Sequence, residues 1–214
     1  LACSGLAGCS ESQEQTGSSS AGSKAAVAST HNTKAAATPK ASGKTKATGT
    51  PSATASPTLI MTPELVEAKK QALATPPPPK PELITVNSDD GAIATAKYWV
   101  QLDYYIYTTG KTSEYKELCP GTSYTATTHV EHAKENHALG GWTDPVTVKF
   151  TKAFRRDDFK DTVVIQVEFE REAFTQYHSE GRIQHYEKQL RWAGIKLEYN
   201  GTQWIVIEAA NRAD

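Results

Sequence analysis

All aromatic residues of this chain lie after position 97. The 18 of them, 4 Trp, 9 Tyr and 5 Phe, begin at Tyr98. A stretch that lacks aromatics and is dominated by Ala, Ser, Thr, Lys, Gly and Pro buries too little apolar surface to offset the entropy lost when it is ordered. The sequence therefore predicts one folded domain of about 120 residues, at 87–214, behind a long disordered arm.

The charges divide between the same two parts of the chain. Residues 1–88 carry 8 basic and 5 acidic side chains, residues 89–214 carry 15 and 19, and the formal net charge is −1. This balance offers no basic patch for nucleic acid. No apolar run reaches the roughly 18 residues that a transmembrane helix needs. We therefore expect no nucleic-acid partner and no membrane-spanning segment.

The segment Leu6-Ala7-Gly8-Cys9 matches the bacterial lipobox, in which a Leu and two small residues precede a lipid-bearing Cys. Two or more acyl chains on one residue, such as diacylglycerol and palmitate, give stable membrane anchoring. We expect residues 1–8 to be a signal-peptide remnant and Cys9 to carry the lipid, with Cys3 as a rival acceptor. The chain would then sit on the outer face of a bacterial cytoplasmic membrane and extend into the cell wall.

Residues 9–86 predict a lipid-anchored tether rich in Ala, Ser, Thr, Lys and Pro, without a fixed repeat. A short helix is expected near 63–73, because Thr62 can cap it and a Pro suits the first turn. Residues 76–81 predict a polyproline II spacer. If flexible throughout, the tether would span about 45–50 Å. Its lysines could attract a cell-wall polymer, and simple solubility is the alternative.

The first part of the predicted domain has helical periodicity. A helix begins near Asn87 with a capping Asn or Ser and acidic residues, runs to Tyr107, and stops at Thr108-Thr109-Gly110. A second helical piece is predicted from Ser113 to Leu118. A third is predicted from about Ser123 to Leu139, before a Gly-Gly pair.

From Val146 onward the apolar spacing changes to two, which is typical of strands with one buried face. Four strands are predicted, at 146–151, 163–170, 195–199 and 204–207. Asn200-Gly201 predicts the hairpin between the last two, and Ala193-Gly194 predicts a bulge that bends the sheet. His178 and His185 fall in an expected long loop. The plan is α+β, with helices on one face of an antiparallel sheet.

Four motifs resemble a family of uncharacterised actinobacterial lipoproteins: residues 89–94, 98–100 and 105–110, and Gly140-Gly141-Trp142. Members also carry a lipobox and a Ser/Thr/Pro-rich arm. The family is similar to the NTF2-like, cystatin-like cone, so the resemblance implies about three N-terminal helices packed on a bent four-stranded antiparallel sheet. Members often have a close Cys pair, whereas this chain has Cys119 and Thr122. No activity is implied.

NTF2-like cones often hold a pocket between the first helix and the sheet, and some relatives use an Asp or an Asp–His pair there. The resemblance therefore implies a ligand pocket near Trp99, Asp103, Tyr107 and Trp142. Asp103 is the only acidic residue near the apolar stripe of the first helix and could act as a base. It could instead be hydrogen-bonded or solvated at the stripe edge, and Trp142 could instead cover the core edge.

Three histidines, His129, His132 and His137, lie on the third predicted helix with Glu131 and Glu135. His129 and His132 are one turn apart, a spacing that can bind zinc. The His-Glu-x-x-His pattern is absent, and a solvated polar face is favoured. The sequence also lacks a phosphate-binding Gly loop, a Gly-x-Ser-x-Gly and a Cys-x-x-Cys. We therefore predict neither a metal nor a cofactor.

Together these features predict a non-enzymatic, lipid-anchored surface module. Its partners would be the membrane, through the lipid, and a ligand, cell-wall polymer or envelope protein. The alternative is a small NTF2-like lyase, isomerase or hydrolase with Asp103 as general base. A purely structural role in an envelope complex is a third possibility.

Overall fold

The computed structural model describes residues 59–213 of the chain. The predictions for residues 1–8, for Cys9 and for the arm up to residue 58 lie outside the described residues. Within 59–213 the chain forms four α-helices, one 3-10 helix and seven strands in two antiparallel sheets. This arrangement confirms the α+β class. None of the described helices is long and apolar enough to cross a membrane.

The helices come first along the chain. They are α1 (Pro63–Leu73), a 3-10 helix (Glu82–Thr85), α2 (Asp89–Thr109), α3 (Ser113–Leu118) and α4 (Tyr124–Ala138). The strands are β1 (Trp142–Thr143), β2 (Val148–Arg155), β3 (Val163–Arg171), β4 (Phe174–Tyr177), β5 (Ile183–Tyr186), β6 (Gln189–Tyr199) and β7 (Trp204–Ala213).

Helix α2 is the central element of the fold. The hydroxyl of Ser88 accepts a hydrogen bond from the Gly91 N–H at 3.1 Å and so caps the helix. The helix ends at Gly110, whose φ of 72° is in the left-handed region that favours glycine. Between these ends α2 contacts all four strands of the larger sheet and also α4. Its fully buried side chains include Ala92, Ala96, Trp99, Leu102 and Ile106.

The larger sheet has the strand order β2-β3-β6-β7, and each pair is antiparallel. Its buried face presents apolar side chains to α2: Ile165, Val167, Phe169, Ala193 and Ile195. The hairpin predicted at Asn200-Gly201 joins β6 and β7.

The predicted bulge at Ala193-Gly194 is wrong in position. Gly194 pairs regularly with Gln166 on one side and Ala210 on the other. The register shifts further along β6, between Lys196 and Leu197, and a second shift lies between Phe150 and Lys152. Gly194 therefore lies in a regular part of the ladder, where an added Cβ would come no closer than 3.7 Å to the Trp192 ring.

The segment expected to be a long loop around His178 and His185 instead forms a second sheet, with order β1-β4-β5. Its strands have only two to four residues, too few to show a clear period in the sequence. Ring stacking holds them together. Trp142 stacks on Tyr177 with centroids 4.2 Å apart, and Phe174 stacks on Tyr186 at 4.6 Å.

Helix α1, at the position predicted for a short helix, packs against the domain. Ala72 is fully buried. The ammonium group of Lys69 donates a hydrogen bond to the Gly140 carbonyl at 2.7 Å and lies 5.0 Å from the Trp142 ring centroid. The following 3-10 helix buries Ile84. Packed structure therefore extends ahead of residue 87.

Candidate functional site

Helices α2 and α4 bring together an acidic and a basic side chain. The Nδ1 atom of His129 lies 2.5 Å from the Oδ1 atom of Asp103, although the residues are 26 positions apart. The side chain of Asp103 is 9% exposed and that of His129 is 23% exposed. We call these two residues the Asp–His pair. Asp103 is therefore hydrogen-bonded, one of the two alternatives that the sequence left open for it.

Aromatic rings surround the imidazole of His129. Their centroids lie 6.2–6.4 Å from the imidazole centroid, and they belong to Trp99, Tyr107, Tyr115 and Tyr124. The ring of Tyr115 is nearly parallel to the imidazole. Its hydroxyl accepts a hydrogen bond from Trp99 Nε1 and donates one to the Thr125 carbonyl. These contacts fix the orientation of the imidazole.

The protonation of His129 is set by two opposing effects. Burial lowers the pKa of His129, whereas the hydrogen bond to Asp103 and the carboxylate charge raise it, and the net pKa lies above the usual 6.5. Burial also raises the pKa of Tyr107 and of Tyr115 well above its usual value. The tyrosines therefore remain neutral, and the charges at this site belong to the Asp–His pair.

An Asp that accepts the Nδ1–H of a His leaves the other imidazole nitrogen free to move a proton. Asp103 itself is occupied by this contact, so the acid-base group of the site would be His129. The described residues provide no further group for metal chemistry: within 59–213 no set of three His, Cys, Asp or Glu side chains could hold a metal ion. His132, the other half of the possible zinc pair, is exposed.

A separate cavity of about 220 Å³ lies beside α2. Its lining residues come from α2, from the small sheet and from the far ends of β3, β6 and β7. They include Tyr104, Tyr107, Thr143, Arg171, Arg191 and Asn211. We call this space the arginine cavity. Neither Asp103 nor His129 lines it.

Arg171 and Arg191 give the lining of the arginine cavity a positive charge. Burial raises the pKa of Tyr104, although Arg191 and Arg171 act in the opposite direction, so its hydroxyl stays protonated at neutral pH. All the residues that line the cavity are described, and none of them is Asp, Glu, His or Cys. The cavity therefore offers donors and aromatic rings but no general base.

Residues 66–210 match the profile of a family described as "Family of unknown function (DUF6318)". The chain belongs to this family. No curated protein matches its sequence significantly. Among solved structures, the chain is similar to the crystal structure of the intermembrane space region of the chloroplast protein ARC6, with a TM-score of 0.47 and 11% identity over 59% of this chain and 98% of that one.

The four side chains predicted to form a pocket do not meet around one cavity. Trp99 belongs to the rings around His129, and Asp103 is held in the Asp–His pair. Trp142 is fully buried and stacked on Tyr177, which places it in the core edge. Tyr107 alone among the four lines the arginine cavity.

Two residues of the arginine cavity, Arg171 and Arg191, were missed by the sequence analysis. The alternation along β3 carried a signal for the first of them. Arg171 follows Ile165, Val167 and Phe169 at the same two-residue spacing, and it lies on the same buried face. A charged side chain in phase with a buried apolar series is unusual and marks a position with a special role.

Proposed function

We propose that this chain is a non-enzymatic binding protein, displayed on the outer face of a bacterial membrane, whose ligand enters the arginine cavity. The composition of the cavity lining carries this proposal. It combines two arginines, an asparagine and several aromatic rings, and it contains no side chain that could serve as a general base. Pockets of this kind bind and orient a ligand.

The display on a membrane rests on the lipobox at residues 6–9 and on the low-complexity tether that follows it. Two or more acyl chains on Cys9 would hold the chain at the bilayer surface. The tether would then carry the domain into the cell wall, within reach of a wall polymer or an envelope protein.

We further propose that the domain is an NTF2-like cone. Three helices, α2 to α4, pack on the larger sheet, and α2 crosses all four of its strands. Two register shifts, in β2 and between β6 and β7, are the devices that bend an antiparallel sheet. The arginine cavity lies between the first of these helices and the sheet, where cones of this type hold their pockets.

Anchoring is tested by metabolic labelling with an alkyne palmitate in a bacterial host that processes lipoproteins. We expect Cys9→Ser to lose the label and to release the chain from the membrane fraction. Cys3→Ser is the matched control and should change neither. Label that survives in Cys9→Ser and disappears in Cys3→Ser would contradict the assignment.

Binding in the arginine cavity is tested by placing a photoreactive phenylalanine at Tyr186, a ring of the cavity wall, in the full chain on cells. We expect a ligand or an envelope component to be crosslinked there. The same residue at Ile183, an exposed position on the same strand, is the control. Equal crosslinking at both positions, or none at Tyr186, would refute the cavity as the binding site.

A second candidate function, acid-base catalysis, is favoured by one observation. The carboxylate of Asp103 orients the imidazole of His129 through its Nδ1 atom, as in catalytic Asp–His pairs. His129→Gln would abolish an isomerase, lyase or hydrolase activity, whereas His185→Gln on strand β5 would not. A substrate screen in which all three proteins behave alike would remove this candidate.

A further inference from the structure

Arg171 is a charged side chain on the buried face of β3, and it is only 4% exposed. Its neighbour Glu170 points to the opposite face, because side chains alternate along a strand, and Glu172 follows the end of the strand. Both of these carboxylates contact the ammonium group of Lys188, at 2.6 and 2.9 Å. The nearest acids in sequence are therefore turned away from Arg171.

The guanidinium of Arg171 is incompletely bonded. Its Nη2 donates to the Glu187 carbonyl at 2.5 Å, and its carbon atom lies 4.8 Å from the Phe174 ring centroid. Its Nε atom is buried and has no hydrogen-bond partner within the described part of the chain. Burying a charge without a counter-charge costs free energy, so an anion bound beside Arg171 would stabilise this arrangement.

Arg191 adds a second positive charge to the same cavity. Its Nε and Nη2 both donate to the Asn211 side-chain oxygen at 3.1 Å, and Nη1 donates to the Gln189 side-chain oxygen. These acceptors are neutral. Among residues 59–213 neither Arg171 nor Arg191 forms an ion pair with a carboxylate.

A further buried polar atom in the lining also lacks a partner. Thr143 is 3% exposed, and its hydroxyl oxygen has no hydrogen-bond partner in residues 59–213. Both this hydroxyl and the Nε of Arg171 belong to residues that line the arginine cavity. Within residues 59–213 five buried side-chain atoms lack a partner, and two of them belong to residues that line this one cavity. Buried polar groups are almost always satisfied, so these two point to a bound molecule.

We propose that the arginine cavity binds a carboxylate carried by a small planar or apolar group. This inference rests on the proposed binding function and names its ligand class. A planar carboxylate matches the edge of a guanidinium, and the attached group would pack against the rings of Phe174 and Tyr186. The volume of about 220 Å³ admits a small ligand or the end of a larger one.

A carboxylate fits the available donors better than a phosphate dianion does. Three nitrogens of Arg191 already donate to side-chain oxygens. Arg191 therefore contributes its charge, while Arg171 and Thr143 supply the free hydrogen-bonding groups. A planar carboxylate can meet one guanidinium edge with both of its oxygens, whereas the third oxygen of a phosphate would need a further donor.

The test is a titration of the full chain, labelled with ¹⁵N, followed through the side-chain Nε–H signal of Arg171. Benzoate is the carboxylate probe, and benzamide is its neutral counterpart of the same shape. A tripeptide with a free C-terminal carboxylate, and the same tripeptide amidated, represent a carboxylate at the end of a larger molecule. We expect saturable shifts of the Arg171 signal with one or both carboxylates and none with the neutral partners.

Variants then test whether carboxylate binding requires the charge of Arg171. We expect Arg171→Gln to weaken binding at least tenfold, whereas Arg182→Gln, an exposed arginine in the β4–β5 turn, should leave it unchanged. Arg171→Lys keeps the charge and checks that a loss of binding is not a loss of fold. The Nε–H signal of the unaltered chain makes the test independent of any variant.

The outcomes separate the two proposals. Equal shifts with benzoate and benzamide, or no Arg171 shift with any probe while Tyr186 still crosslinks to an envelope component, would overturn the carboxylate ligand and leave the binding function standing. No shift together with no crosslinking at Tyr186 would overturn both. A shift with the free tripeptide and not with benzoate would support the carboxylate and identify its source as a larger molecule.

Discussion

Replacing Asp103 by Asn tests whether the Asp–His pair is ionic. Asn has nearly the same shape and can still accept the Nδ1–H of His129, but it has no charge. A hydrogen bond to a charged group contributes roughly 1.5–3 kcal/mol, against about 1 kcal/mol for a neutral one. We therefore expect Asp103→Asn to lower the free energy of unfolding by about 0.5–2 kcal/mol at pH 6. For a domain of this size the Tm would fall by about 1–8 °C.

The sign of the pH dependence follows from the raised pKa of His129. The stability that the pair supplies through His129 is fully present below the unfolded-state pKa of about 6.5, and it is lost as pH rises through the higher folded-state pKa. In Asp103→Asn, burial is the only one of these effects that still acts on the pKa of His129, so this pKa falls below 6.5. The variant therefore loses stability as pH falls. The difference between the two proteins should therefore widen from pH 9 to pH 5.5.

Two measurements check this reasoning. Chemical denaturation at a series of pH values gives the stability difference, and NMR titration of the imidazole gives the midpoint of His129 in each protein. A stability difference that widens as pH rises, or a His129 midpoint unchanged by the substitution, would refute an ionic pair.

Three further predictions concern the core and can be measured by denaturation or labelling. Gly141→Ala should destabilise the domain by about 1–3 kcal/mol, because the new Cβ would lie 2.7 Å from the Tyr177 carbonyl oxygen. Gly194→Ala is the control and should be nearly neutral, because its Cβ would have no heavy atom closer than 3.7 Å. Ile195→Ala should cost about 2–5 kcal/mol, since this side chain is fully buried, and a cost below 1 kcal/mol would contradict its place in the core. Cys119 is buried and the pKa of its thiol is raised by burial, so it should react with a thiol reagent only as fast as the domain opens; rapid labelling of the native protein, located by peptide mass, would count against this.

The parts of the fold that the sequence predicted are those fixed by local signals. Ser88 and Gly110 mark the two ends of α2 through their own capping chemistry. The turn at Asn200-Gly201 sets the register of β6 and β7 as far as Leu197 and Val206, where the register shifts. In each case the deciding interaction joins residues that are close in sequence.

The small sheet escaped prediction because its stability comes from contacts between distant segments. The two residues of β1 pair with β4, and Trp142 stacks on Tyr177 across these two strands. Two- and four-residue strands contain too few positions for an alternation to be distinguished from chance. Stacking between rings from distant segments therefore determines these strands, which the local apolar pattern does not predict.

The same limit applies to the candidate site. Asp103 stood out in the sequence because it is an acid beside an apolar stripe, but the sequence could not select its partner among three histidines on one helix. The packing of α4 against α2 determines the partner, because it places His129 beside Asp103. Arg171 could have been noticed as a charge in phase with a buried series, whereas its meeting with Arg191 depends on the pairing of β3 with β6.

If the chain is anchored through Cys9, as we propose, helix α1 has a mechanical consequence. A pull transmitted along the arm would reach α1 before α2, and α1 is fastened by the buried Ala72 and by Lys69 at Gly140 and Trp142. Detaching it would free residues 63–81 and lengthen the arm by up to about 60 Å. Until the freed segment is fully extended, the pull would not reach the core around α2.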